Sequence, residues 1–282
     1  MLNNKFLLSV FILFLSLQVK SQDFEVAPVK INFKVDPEDS QTKVLSVKNH
    51  SNFRTSFMIT FADFVIDKYG NKQAIERNSS KTSCTEWITP EKTFFDINPN
   101  EQVLIKITMQ PPVDDYSTRW ALMYVQTVHE KTSFDVDQGF GAGVRVSGRI
   151  SVEVYRDPVV NLKPKLKIKD LREVSSIDTL NRYFIADVIN QGKNIAKCKV
   201  TFIASNLGTA EEFEFEPIYF ESFPGFQREV KFKLPNTLPA GKYSFVALLD
   251  YGKDITIEGT RLNKPLIILP KKDENENSDN KK

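Results

Sequence analysis

Residues 142–155 read AGVRVSGRISVEVY, and in this stretch apolar side chains alternate with polar or small ones. Successive side chains of a β-strand point to opposite faces, so this spacing predicts a strand with one apolar face. The residues on that face are Val144, Val146, Ile150, Val152 and Val154. The same two-residue period recurs along most of the chain, whereas no long stretch carries the apolar stripe of an amphipathic helix.

The recurring pattern predicts seven strands in each half of the chain. Those of the first half are Val26–Val35, Thr42–Lys48, Thr55–Ile66, Glu86–Ile97, Gln102–Met109, Trp120–Val128 and Ala142–Tyr155. The pattern restarts after Pro158 with Leu166–Val174, Tyr183–Ile189, Ala196–Ala204, Glu212–Phe220, Arg228–Leu234, Tyr243–Tyr251 and Ile255–Ile268. Seven short strands in about 110 to 130 residues are typical of an immunoglobulin-like sandwich. We therefore predict an all-β fold of two tandem immunoglobulin-like β-sandwich domains, over residues 22–157 and 158–270.

The two halves repeat a pattern of turn residues. Asn49 and Asn190 each end an apolar strand and lead into small polar residues. Pro99 and Pro224 each precede an alternating strand. A repeat one domain long favours two sandwiches over one large barrel. Tyr243 follows a Pro-Ala-Gly turn, where sandwiches often carry a tyrosine whose hydroxyl binds the backbone of the preceding corner.

The two ends of the chain lie outside the strand pattern. Lys5 precedes an apolar run, Phe6–Leu17, that is shorter than the roughly 20 residues needed to span a bilayer. Residues 1–21 are therefore predicted to be a cleaved secretory signal peptide, and the mature protein to be exported and not membrane-spanning. Residues 271–282 carry no apolar side chain and are predicted to be a disordered tail.

Composition argues against several classes of function. The formal net charge is +2 at pH 7, and it falls to zero if Lys5 and Lys20 are removed with the signal peptide. A neutral chain lacks the basic surface that nucleic acid or anionic lipid requires. The sequence holds 22 Phe and 8 Tyr but only 2 His, which favours strands over proton-transfer chemistry. We expect neither a nucleic acid nor a small-molecule substrate.

The motifs that could carry chemistry are better explained as loops. The glycine-rich stretch 139–143 is followed by a strand and not by the helix that a phosphate-binding loop needs. Asp135 and Asp137 begin a calcium-loop pattern that lacks its later acidic ligands. Neither His50 nor His129 has a second ligand at a metal-binding spacing. We therefore expect no metal, no cofactor and no enzymatic activity.

The two cysteines leave alternatives open. Cys198 alternates with the apolar residues of a predicted strand, whereas Cys84 lies in a polar run of the other predicted domain. The sequence is compatible with a disulfide between them and with two buried or unreactive thiols. A reactive nucleophile is not expected, because neither cysteine has a histidine nearby.

Several segments of the first half, in this order, resemble the N-terminal domain of PapD-like periplasmic chaperones. They are Val26–Phe33, Leu45–Asn49, Trp87–Pro90, Phe94–Gln102 and Tyr155–Pro158. This resemblance covers nearly half of the chain and implies a periplasmic location. The second half resembles a generic immunoglobulin-like adhesion or cell-surface domain, so the likeness there concerns the fold and no named family.

The resemblance implies that the last strand of the first domain binds clients. Chaperones of the pilus type lend this strand to a partly folded subunit, where its alternating apolar side chains fill a groove. The client-binding side chains would then be Val144, Val146, Ile150 and Val152. The same side chains could instead form the ordinary core face of a closing strand.

The resemblance also implies a pair of cations in the cleft between the domains, where these chaperones hold a client's terminal carboxylate. Lys30 falls at the first of the two positions. The second position falls on Val152, and Arg149 is the nearest basic residue. Lys30 and Arg149 are therefore candidate client-binding residues.

These observations predict a non-enzymatic, periplasmic, chaperone-like protein. It would bind client proteins by strand addition or in the interdomain cleft, and so assist assembly of a surface appendage or a secreted protein. The alternative is a structural or adhesion component of a cell-envelope complex. In the first case the partner is a protein client, and in the second it is a permanent envelope-complex subunit.

Overall fold

The protein is built almost entirely of β-strands. A computed structural model of the chain describes residues 23–128, 148–160, 162–174, 181–234, 237–252 and 257–270. These residues form nineteen strands and one turn of 3₁₀ helix, Thr85–Trp87. The predicted all-β fold of two tandem immunoglobulin-like sandwiches is confirmed. The predicted signal peptide, 1–21, and tail, 271–282, lie outside the described residues.

The first sandwich packs two sheets face to face. Its strands are β1 Phe24–Ala27, β2 Lys30–Lys34, β3 Gln41–Asn49, β4 Thr55–Ile66, β5 Lys72–Ile75, β6 Ile88–Pro90, β7 Phe94–Ile97, β8 Gln102–Met109, β9 Arg119–Val128 and β10 Arg149–Asp157. One sheet has the order β1-β3-β8-β6, and the other has the order β2-β10-β9-β4-β5 with β7 beside β4. Neighbouring strands run antiparallel, except that β2 and β10 run parallel.

The second sandwich repeats this two-layer arrangement. Its strands are β11 Leu166–Val174, β12 Arg182–Asn190, β13 Ala196–Asn206, β14 Glu212–Glu214, β15 Ile218–Ser222, β16 Gln227–Leu234, β17 Gly241–Asp250, β18 Glu258–Arg261 and β19 Leu266–Ile268. One sheet is β11-β12-β16, and the other is β14-β13-β17-β18 with β15 beside β13 and β19 beside β17. The Tyr243 hydroxyl donates to the Pro239 carbonyl at 3.0 Å, as predicted for a corner tyrosine. The exact domain limits, 22–157 and 158–270, stay predictions.

Four predicted strands are each divided in two, and a proline lies at or beside every division. These prolines are Pro28, Pro90, Pro217 and Pro265. Proline has no amide hydrogen to donate to a strand ladder, so pairing stops where it stands. The first division also moves the chain between layers, because β1 belongs to one sheet and β2 to the other. The prediction of a single strand over Val26–Val35 is therefore wrong.

The sequence pattern gave no sign of β5, Lys72–Ile75, because this stretch has no alternation of apolar residues. The strand exists as the return arm of a hairpin with β4. The Asp67 carboxylate closes the turn by accepting from the amides of Tyr69 and Asn71, each at 2.8 Å. Gly70 has φ +90, a conformation that favours glycine. The β4–β5 hairpin is thus fixed by its turn and not by its side-chain pattern.

Each sandwich has its own apolar core, and each core contains one cysteine. Cys84 lies in the first core and Cys198 in the second, and both thiols are free. Burial raises the pKa of both, in the case of Cys198 to about 12. Of the two alternatives that the sequence left open, buried thiols are therefore observed and the disulfide is excluded.

The predicted internal repeat is visible in two buried asparagines. The side-chain amide of Asn49 donates to the Ile97 carbonyl at 3.0 Å, and that of Asn190 donates to the Ser222 carbonyl at 2.9 Å. Each Oδ1 accepts from a backbone amide two residues later. In each sandwich, the asparagine therefore ties the end of one strand to a carbonyl just before the repeated proline.

The two sandwiches meet through a cluster of aromatic side chains. Phe223 of the second sandwich packs against Phe64, Trp120 and Tyr155 of the first, with ring centroids 5.2 to 6.4 Å apart. All four side chains are at most 5% exposed. A buried, closely packed interface of this kind holds the two sandwiches in one orientation.

Backbone hydrogen bonds and one guanidinium group reinforce the contact. The Thr118 amide donates to the Lys193 carbonyl at 2.8 Å, and the Glu229 amide donates to the Lys68 carbonyl at 2.7 Å. The second bond joins β16 to the tip of the β4–β5 hairpin. Arg228 also touches this tip, where a Cβ built on Gly70 would lie 2.0 Å from Arg228 Nη1. The hairpin that the sequence did not predict therefore takes part in fixing the interdomain cleft.

Candidate functional site

One edge of β10 is open over half of its length. β10 pairs with β9 from Arg149 to Arg156, whereas β2 covers its other edge only from Glu153 to Asp157. Among the described residues, no strand pairs with that edge from Arg149 to Val152. An unpaired strand edge is a template for adding a strand from another chain.

The backbone hydrogen bonds show which groups face this open edge. Gly148 accepts a hydrogen bond from the Thr127 amide on the β9 side at 3.0 Å, and the Glu153 amide donates to the Val29 carbonyl on the β2 side at 2.9 Å. Because these directions alternate along a strand, the N–H and C=O groups of Arg149 and Ser151 point toward the open side. They provide two donors and two acceptors for an added strand.

The core-facing side of the edge is apolar. Ile150 is half-buried against the first core, and Val152 is fully buried within it. Val152 therefore occupies the position of a core-face residue, the second of the two roles that the sequence allowed. The other two candidates, Val144 and Val146, lie outside the described residues. Client binding by any of these side chains stays a prediction.

The two candidate cations lie at opposite ends of the open edge. Arg149 donates from Nε to Gln126 Oε1 at 3.0 Å, at the beginning of β10. Lys30 stands in register with Glu153, four residues further along, which is roughly 13 Å of strand. The structure therefore does not bring Lys30 and Arg149 together at one point.

Lys30 lies in the cleft between the sandwiches. Its ammonium group lies 4.6 Å from the centre of the Tyr155 ring and 3.7 Å from Glu221 Oε1 of the second sandwich. A cavity of about 280 Å³ opens here, and its lining includes Asn32 of the first sandwich and Lys197 of the second. The predicted placement of Lys30 beside an interdomain cleft agrees with this geometry.

A second lysine, Lys72, also lies close to the Tyr155 ring, 5.6 Å from its centre. Lys72 Nζ lies 2.6 and 2.7 Å from the two carboxylate oxygens of Glu153 and 2.9 Å from the Tyr155 hydroxyl. The Tyr155 hydroxyl donates to Glu153 Oε2 at 2.8 Å. Sequence reasoning missed this cluster, because Lys72 belongs to the unpredicted strand β5 and reaches Glu153 only through the folding of the β4–β5 hairpin.

These contacts determine the ionisation of the cluster. Burial acts to raise the pKa of Glu153, but hydrogen bonds from Lys72 and Tyr155 and the charges of Lys72 and Lys30 outweigh it, so the pKa is lowered. Burial, followed by the hydrogen bond to Glu153, raises the pKa of the Tyr155 hydroxyl. At neutral pH the cluster therefore contains an ionised carboxylate held by an ammonium group and a neutral phenol.

Other kinds of site are not found in the described part of the chain. No three His, Cys, Asp or Glu side chains among the described residues come together as metal ligands would. Over the same residues, no helix has the length and apolar character that crossing a membrane requires.

Comparison with known proteins gives similarity at the level of structure. No family model matches the sequence, and no curated protein matches it. A chain from the chaperone–tip adhesin complex of CFA/I fimbriae has 9% identity, over 89% of this chain and 100% of its own, with a TM-score of 0.49. The class 5 fimbriae chaperone CfaA has 9% identity over 88% and 99%, with a TM-score of 0.48. The E. coli chaperone DraB has 13% identity over 88% and 96%, with a TM-score of 0.42.

Each of these three alignments covers most of both chains, at TM-scores of 0.42 to 0.49. Identities of 9 to 13% concern the fold and not the chemistry of individual residues.

Proposed function

We propose that the protein is a non-enzymatic, chaperone-like protein that binds an extended segment of another protein. Binding occurs by strand addition at the open edge of β10, from Arg149 to Val152, beside the interdomain cleft that contains Lys30. The protein is exported to the periplasm through a cleaved signal peptide, and it assists assembly of a surface appendage or a secreted protein. The open edge is the single observation that carries this proposal.

The chemistry of the edge defines the segment that fits. The backbone groups of Arg149 and Ser151 supply main-chain hydrogen bonds, which are indifferent to the partner's sequence. The core-facing side beside Ile150 is apolar, and the outer side carries Arg149 and Ser151. A segment with apolar residues at alternate positions therefore matches both sides.

A proline at position 151 tests strand addition directly. The Ser151 N–H points to the open side, so Ser151→Pro removes a donor for the partner and keeps the hydrogen bonds to β9. We expect a short synthetic peptide of alternating valine and threonine to bind the unsubstituted protein and to lose at least about tenfold in affinity for the variant. Fluorescence anisotropy of the labelled peptide measures this loss.

The control is Ser151→Thr, which keeps the N–H and should bind as the unsubstituted protein does. Because Ser151→Pro could also weaken the fold, amide hydrogen exchange of the unsubstituted protein gives a second readout. The bound peptide should protect the amides of Arg149 and Ser151. Binding without protection of these two amides would place the partner elsewhere and refute the proposal.

The packed interface between the sandwiches favours a second candidate, a permanent structural component of an envelope complex. A spacer needs its two halves held in one orientation, and the aromatic cluster around Phe223 provides this. Purification from native membranes and periplasm separates the two candidates. A partner in fixed stoichiometry would support the spacer, and transient binding to several clients would support the chaperone.

A further inference from the structure

The open edge of β10 has a fixed end. The Glu153 amide donates to the Val29 carbonyl, and β2 occupies the edge from there to Asp157. A segment added beside 149–152 must therefore stop or turn away next to Lys30, which stands opposite Glu153. The charges at this point decide which part of a partner chain fits.

Two cations at this point, Lys72 and Lys30, are already paired with carboxylates of the protein itself. Lys72 holds both carboxylate oxygens of Glu153, at 2.6 and 2.7 Å. Lys30 lies 3.7 Å from Glu221 Oε1, and Lys197 stands opposite Glu221 on the neighbouring strand. Asp157 also lines the cleft, so the acidic side chains around this point are Glu153, Glu221 and Asp157.

Two features make Glu153 the central group of this arrangement. Glu153 is the first residue of β10 that pairs with β2, so its side chain lies at the point where an added segment must end. Its carboxylate is also fixed, because the Tyr155 hydroxyl and Lys72 bind it together and leave it 28% exposed. An incoming anion would have to displace it to reach Lys72.

We propose that Glu153 is a specificity determinant, through which the protein binds an internal segment of its partner and excludes a terminal carboxylate at the Lys30 end of the edge. This inference rests on the function proposed above. A carboxylate at this end would meet ionised Glu153 and find Lys72 and Lys30 already paired. Taking a carboxylate out of water beside the ionised Glu153 is costly, whereas the neutral peptide groups of a continuing chain avoid that cost.

Two forms of one peptide test the inference. Both have the same short sequence of alternating valine and threonine, and one ends in a free carboxylate while the other ends in a carboxamide. At pH 7 we expect the carboxamide to bind the unsubstituted protein at least about tenfold more tightly. This comparison depends on no variant and is measured by fluorescence anisotropy.

Glu153→Gln then tests the residue. Glutamine keeps an oxygen acceptor for Lys72 and Tyr155 but removes the negative charge, so Lys72 loses its ionic partner and becomes available to an anion. The preference for the carboxamide should disappear or reverse. Glu86→Gln is the matched control, because Glu86 pairs with Arg77 on the exposed surface of the same sandwich, and it should leave the preference unchanged.

The outcomes separate the two proposals. If neither peptide binds the unsubstituted protein, strand addition fails and this inference fails with it. If both bind and the free carboxylate is equal or stronger, strand addition stands and the inference is overturned. The inference is likewise overturned if folded Glu153→Gln retains the full preference for the carboxamide.

Discussion

Buried polar side chains fix the turns and junctions of both sandwiches. Arg156 is fully buried and donates to the carbonyls of Val35, Asp115 and Ser117 at 2.7 to 2.9 Å. It thereby joins the end of the first sandwich to two loops. Asn190 plays a comparable part in the second sandwich. Such groups stabilise the fold because a buried carbonyl left without a donor is costly.

Asn190→Ala tests this role at the scale of one residue. The substitution removes the donors to Asn194 and Ser222 and the acceptor for Gly192, all at 2.9 Å. We expect it to lower the free energy of unfolding by about 2 to 4 kcal/mol, because buried partners are left unsatisfied. Urea denaturation followed by tryptophan fluorescence and circular dichroism measures the change.

The control is Asn263→Ala, an exposed asparagine of the same sandwich, which should change stability by less than about 0.5 kcal/mol. Asn49→Ala should behave like Asn190→Ala, because Asn49 has the equivalent bonds in the first sandwich. If Asn190→Ala and Asn263→Ala both lowered the free energy of unfolding by the same small amount, the buried asparagine would not have the stabilising role proposed for it.

The β4–β5 hairpin is the element that connects the cleft to the second sandwich. Its strand β5 supplies Lys72 to Glu153, and its tip contacts β16 through Lys68 and Glu229. The guanidinium of Arg228 lies 4.5 Å from the centre of the Phe220 ring and against Gly70. The hairpin therefore positions a charge in the cleft and also contributes to the interdomain contact.

Gly70→Ala tests the hairpin contact. Alanine at position 70 would have to adopt φ +90, and its methyl group would overlap the guanidinium of Arg228. We expect a loss of about 1 to 2 kcal/mol from the backbone conformation, and a smaller further loss from displacing the Arg228 guanidinium, which lies at the end of a flexible side chain. Gly225→Ala is the matched control, because Gly225 has φ +78 and no atom within 4 Å of its added methyl group.

The difference between the two glycine variants isolates the Arg228 contact. In the double variant Gly70→Ala with Arg228→Ala, the overlap is absent, so the excess loss should disappear relative to Arg228→Ala alone. If Gly70→Ala and Gly225→Ala lose the same free energy in urea denaturation, the hairpin tip does not press on the second sandwich.

At the scale of the whole molecule, the aromatic interface decides whether the two sandwiches act as one body. Phe223→Ala removes the ring that contacts Phe64, Trp120 and Tyr155. We expect a loss of about 3 to 5 kcal/mol of packing free energy, a larger radius of gyration in small-angle X-ray scattering, and separate unfolding of the two sandwiches. Tyr219→Ala, at a site 70% exposed on β15, should change none of these. An unchanged scattering profile for Phe223→Ala would show that other contacts set the orientation.

The strand content and the number of sandwiches could be predicted from the sequence, because both follow from local patterns. Alternating side chains identified nine strands of the described chain within one or two residues, among them Thr55–Ile66 and Gln102–Met109. The paired asparagines and the corner tyrosine were also predictable, because each depends on a turn formed by its near neighbours. The divisions at Pro28 and Pro217 are also predictable from the sequence, because a proline interrupts the hydrogen bonding of a strand.

The candidate site could be predicted only in part. Lys30 was placed beside the cleft, but its neighbours Lys72 and Glu153 were not, because their contact joins residues 81 positions apart through a hairpin without a side-chain pattern. The role of Val152 could not be decided from the sequence either. Alternation shows that one face of the strand is apolar, but it does not show whether the core of the protein or a partner chain covers that face.

The pair of β sandwiches with two separate cores follows from local sequence, since period-two alternation and turn residues act over short distances. Tertiary structure alone decided which sheet each strand joins, which edge of β10 remains open, and which charges meet in the cleft. The physical reason is that strand pairing, ion pairing and domain packing depend on groups distant in sequence, whose meeting is fixed only when the whole chain folds.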